Sequence, residues 1–69
     1  MTNKDKQHLE NMETAANEFS LAYQSVVDAE EALSQGKYVI AKAKVMQARN
    51  SMTRMLKAFD DEQKLQQGD

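Results

Sequence analysis

His8 is the sole imidazole of the chain, and no cysteine accompanies it. The nearest carboxylates, Asp5 and Glu10, do not form a metal-ligand spacing with it, so no metal site is expected there. Asp60, Asp61 and Glu62 run contiguously, which is not the alternation of a calcium loop, and they read as a solvated tail. No glycine-rich phosphate loop is present. A serine, the histidine and an acid cannot be gathered into one concave pocket by two helices, which is what the remaining chain reads as. The expectation is a non-enzyme with no cofactor, no metal and no small-molecule substrate. Tyr23 and Tyr38 carry hydroxyls, and both are expected to pack in a core with the polar tip at its edge.

Charge is the stronger chemical signal. Residues 1–34 carry two lysines against seven acids, residues 35–69 carry seven bases against four acids, and the whole chain is at −2. From Lys37 to Lys57 six bases occur without one acid. Such a division can steer an acidic helix against a basic one, each exposed pair contributing roughly 0.2–1 kcal/mol. It can also present Lys42, Lys44, Arg49, Arg54 and Lys57 as a basic stripe to an acidic partner helix or to a nucleic-acid backbone. The overall acidity and the lack of a stacking aromatic among those bases weigh against nucleic acid.

The elements that must position these groups are helical. Of 69 residues none is proline, and alanine, glutamate, lysine, glutamine, leucine and methionine fill most positions, without sustained strand-type alternation. A chain this short is one domain, and lacking cysteine it is held by packing alone. It has neither a signal-peptide stretch nor a run long enough to span a membrane, so a cytoplasmic location and no membrane contact are expected. Thr2 followed by Asp5 resembles an acidic capping box, which starts the first helix near Asn3. Gly36, within Ser34-Gln35-Gly36-Lys37, supplies the left-handed residue that ends it. The pattern predicts helix 1 over about 3–34, a turn at about 34–37, helix 2 over about 37–64 and a loose tail at 65–69, because Asp60, Asp61 and Glu62 oppose the macrodipole.

Positions 9, 12, 16, 19, 23, 26, 30 and 33 follow a 3-4 rhythm, as do 38, 41, 45, 48, 52, 55, 59 and 62, and seven of eight are apolar in each set. Folded at Gly36, the two rows pair with residue numbers totalling 71, so Phe19 meets Met52, Glu30 meets Ala41 and Leu9 meets Glu62. The expected fold is therefore all-α, an antiparallel two-helix hairpin with a coiled-coil-like seam. A hairpin alone leaves much of that seam wet, so completion as a four-helix bundle by dimerisation or by a helical partner is expected.

Two surfaces are candidates for that partner. Ala15, Ala22, Ala29, Ser51 and Ala58 form a strip of small residues beside the seam, over which another helix can approach closely. Val39, Ile40, Ala43 and Met46 form an apolar patch near the turn, fringed by Lys42, Lys44 and Arg49. Glu30, the one charged position of the first row, calls for Lys42 or Lys37 as partner or for exposure near the hairpin tip.

Gly36-Lys37-Tyr38-Val39-Ile40-Ala41, with Val45 and Ala48, resembles the inter-helix turn of a tetratricopeptide repeat, though no second copy follows. Met1-Thr2 with Lys4 and Lys6, Asn11-Met12 and Phe59-Asp60-Asp61 resemble the Rop plasmid copy-number family, which implies a dimeric four-helix bundle that binds RNA. The stretch Leu9-Glu10-Asn11-Met12-Glu13-Thr14 and the glycine turn are similar to the needle co-chaperones of type III secretion. The last two fit equally, and we assign the chain to none of the three. The function expected is a protein-interaction module of adaptor, inhibitor or co-chaperone type, acting as a homodimer or on a helical partner, with a Rop-like RNA-binding regulator as the alternative.

Overall fold

The computed structural model describes residues 2–67. They form two helices, α1 (Asn3–Ser34) and α2 (Tyr38–Gln67), packed side by side along their lengths. The hairpin measures 51 × 17 × 11 Å, and its long axis is set by α1, whose 32 residues rise about 1.5 Å each. Thr2 caps α1, its Oγ1 accepting from the Asp5 backbone N–H at 3.1 Å.

The turn has a Schellman geometry. Lys37 N–H donates to the Ala32 carbonyl at 2.8 Å and Gly36 N–H to the Leu33 carbonyl at 3.0 Å, which satisfies carbonyls that the helix end leaves open. Gly36 sits at φ 72°, a conformation costly for any residue with a Cβ. The turn therefore falls where the sequence placed it. The far end differs: α2 continues through Leu65 to Gln67, so those three residues are helical rather than loose, and Gly68 and Asp69 lie outside the described residues. Lys57 pairs with Asp61 at 3.0 Å and Gln66 donates to Glu62 at 2.8 Å, which ties the acids into successive turns.

The seam is not the one expected. The buried residues of α1 are Asn11, Ala15, Ala22, Ser25, Ala29 and Ala32, and those of α2 are Ala41, Ala48, Ser51 and Ala58. Between them the partly covered His8, Glu18, Lys44, Met55 and Glu62 complete a 3-4 rhythm that lies one position N-terminal to the expected row in α1. Asn11 Nδ2 donates to Glu62 Oε1 at 3.2 Å, and Arg54 with Glu18 and Lys44 with Asp28 set nearly the same register, so numbers of level partners total about 72–73. The same register brings Ala15 level with Ala58, Ala22 with Ser51, Ser25 with Ala48 and Ala32 with Ala41.

Ala15, Ala22, Ala29, Ser51 and Ala58 are thus not a free docking strip; the chain covers them with its own second helix. The reason is steric. Side chains of one or two heavy atoms let two backbones approach closely over many turns, and bulky residues at the same positions would hold them apart. Charged groups close the edges of this narrow seam. Arg54 Nε donates to Glu18 Oε1 at 2.8 Å, and Lys44 Nζ lies 3.7 Å from Asp28 Oδ2. The division of charge between the two helices operates here, in pairing α1 with α2.

Candidate functional site

The large apolar residues are consequently outside. In two antiparallel right-handed helices, the residue that follows each seam position points to the same side of the hairpin on both rods. On α1 these followers include Leu9, Phe19, Tyr23, Val26 and Leu33, and on α2 Val45, Met52, Leu56 and Phe59, all exposed. Tyr38 opens the α2 row beside them and is exposed as well. Phe19 is 61% exposed and Tyr23 66%, while Ala22 between them is at 4%. Phe19, Tyr23 and Val26 from α1 and Met52 and Met55 from α2 line a shallow groove that Ala22 floors, with almost no polar atom in its wall. Phe19 and Met52 both line this open groove rather than a closed core.

Glu30 belongs to this face and is exposed, not set against Ala41. Lys42 and Arg49 stand in the corresponding row of α2, also exposed. Among the described residues none of these three has an ion-pair partner.

The reverse side is polar. Gln7, Glu10, Thr14, Arg54, Lys57 and Asp61 surround one of its depressions, and Leu21, Gln47, Asn50 and Arg54 another. The five bases expected as a stripe are therefore divided. Lys42 and Arg49 lie with the apolar face, Lys44 crosses the seam to Asp28, and Arg54 and Lys57 lie on the reverse, paired with Glu18 and Asp61. The Val39, Ile40, Ala43 and Met46 patch is exposed, Val39 at 85%, and occupies the outer flank of α2 near the turn. Ile40 there sits in a depression with Asp28, Glu31, Gln35 and Lys37, so the patch is narrower and more polar at its margin than the main face.

The end of the hairpin away from the turn holds a polar clasp that spacing along the sequence does not reveal. His8 Nδ1 bonds the Glu62 carboxylate, Asn11 donates to the same group, and Gln66 donates to it from one turn on. The Glu62 side chain is 14% exposed, so it is not part of a solvated tail. Donation by Gln66, then by His8 and Asn11, holds its carboxyl below the usual carboxylate range. Glu18 is lowered likewise, chiefly by the hydrogen bond from Arg54, whose guanidinium also reaches Ser51 Oγ at 3.2 Å. These groups pair across the seam, with Glu18 Oε2 buried and without a hydrogen-bond partner among the described residues, and what the arrangement can do chemically is fix register.

No helix of the described residues is long and apolar enough to cross a membrane. Comparison with protein-family models, with curated proteins and with solved structures finds no match to this chain.

Proposed function

We propose that the chain is a small non-enzymatic protein-interaction module of adaptor, inhibitor or co-chaperone type, working in the cytoplasm. It binds a helical partner or itself through the broad apolar face of the hairpin, completing a four-helix bundle. The observation that carries this reading is the inverted placement of size. Alanine and serine fill most of the intramolecular seam, whereas phenylalanine, tyrosine, leucine, valine and methionine stand outside, most of them on one side.

Fully burying one such large side chain contributes about 1.5–3 kcal/mol, against about 0.8 kcal/mol for a methylene-sized group. Most of the apolar driving force of the sequence therefore remains available to association. Monomeric proteins rarely leave a contiguous apolar surface of this extent in water. The division of the bases between two faces, three of them engaged by carboxylates, favours a protein partner over an RNA backbone.

The test is a face-specific cross-link. A photoreactive phenylalanine analogue at Tyr23 is expected to form covalent adducts with a polypeptide in the cells that make the protein, and the same analogue at Gln47 on the polar reverse is not. Equal yields from the two positions, or none from either, would refute the assignment of the face.

A further inference from the structure

We infer that the occupant of the apolar face is a second copy of this chain, stacked face to face with both turns at the same end and with α1 lying on α2 of its partner. This inference rests on the interaction reading above and narrows it to one partner and one geometry.

Size supports a second copy. The broad side of the hairpin, about 51 Å long and 17 Å wide, offers a footprint of at most about 850 Å², the size class of the roughly 800 Å² per partner of a standard stable interface. A two-fold axis makes the contact isologous, so one patch must complement itself. This one can, because its two halves differ in sign. The α1 row carries Glu30 and the α2 row carries Lys42 and Arg49, all three lacking an ion-pair partner among the described residues.

Two axes can stack the faces. An axis across the rods lays α1 on α1 and α2 on α2, acidic rod on acidic and basic on basic, with the turns at opposite ends. An axis along the rods lays each acidic α1 on a basic α2, with every neighbouring pair of helices antiparallel. Charge selects the second, since like-charge juxtaposition is penalised at an interface.

Register then agrees without adjustment. With the axis along the rods, residues level within one hairpin are also level across the interface. Glu18 with Arg54 and Asp28 with Lys44 define that level inside the chain, and Glu30 with Lys42 has the same relation. Glu30 of one copy accordingly stands opposite Lys42 of the other, and Tyr23 opposite Arg49, each pair occurring twice by symmetry.

The absence of cysteine makes the test direct. A nitroxide attached at Gln35→Cys, an exposed turn position, reports the turn-to-turn distance by double electron–electron resonance in the sample whose mass is measured by sedimentation. The expected result is a dimer with labels within about 25 Å, two helix layers 8–10 Å apart plus the label tethers. Labels near the 51 Å length of the hairpin would overturn the same-end arrangement, and a monomer at every concentration would overturn the second copy. A monomer that still cross-links another protein from Tyr23 would remove this inference while leaving the interaction reading in place. As an independent arm, Lys42→Glu is expected to weaken the dimer about tenfold, and Glu30→Lys added to it to restore affinity. Failure of that rescue would overturn the Glu30–Lys42 contact.

Discussion

The seam and the apolar face lie side by side on the same two rods, yet they follow opposite rules. In the seam the side chains are small, buried and bracketed by ion pairs, as Ala22 and Ser51 beside Glu18 and Arg54 illustrate. On the face they are mostly large and exposed, and the groove between Phe19 and Met52 has almost no polar atom in its wall. The contrast shows that a hydrophobic repeat can be divided by function. Closeness of approach is secured by one row, and the capacity for further burial is kept in the next.

The widest separation between the two regions should come from a change of volume. Ala22→Leu forces a branched side chain between closely packed backbones and is expected to cost about 3 kcal/mol in urea unfolding. Phe19→Ser, measured in dilute solution where no association contributes, is expected to stay within about 0.5 kcal/mol. Equal losses from both would erase the distinction between seam and face.

A smaller effect is expected at the joint that brings the rows together. Gly36→Ala meets no atom within 4 Å of the new Cβ, so its cost is backbone strain alone, about 1–2 kcal/mol, read from the same denaturation curves. Helicity by circular dichroism should be retained at low denaturant.

Acidity sharpens the comparison further, because the two carboxylates with lowered pKa values both belong to the seam. A lowered folded-state pKa means that the unfolded chain takes up the proton first. The stabilisation from Glu18 and Glu62 is therefore fully present above the ordinary carboxylate range and is lost as pH falls through their folded values. Glu62→Gln is expected to flatten the acid limb of a stability-against-pH curve, and an unchanged limb would show that the clasp with His8 and Asn11 carries no linkage.

The least effect is expected from Asp28→Asn. Its partner Lys44 is 3.7 Å away with both side chains about one-third exposed, so a loss of a few tenths of a kcal/mol, screened by salt, is the expected outcome.

Much of the hairpin was legible in the residues. Thr2, Gly36 and the missing proline act locally, and local chemistry is what a sequence displays. Residue size points to Phe19, Tyr23 and Val26 inside with Ala15, Ala22 and Ala29 beside them, and the structure reverses the two rows. The seven-residue recurrence of those alanines was the available signal of close helix packing. The clasp of His8, Asn11 and Glu62 carried no such signal, since Glu62 lies more than fifty residues from the other two in the chain.

The sequence by itself determined that there are two helices, where they turn, and that one rod is acidic and the other basic, because propensity, capping and charge are properties of neighbouring residues. Which of two adjacent 3-4 rows faces inward was decided only by the tertiary structure. Both rows satisfy the same periodicity, and the choice between them depends on how near two backbones can come, a quantity that exists only once the rods are side by side.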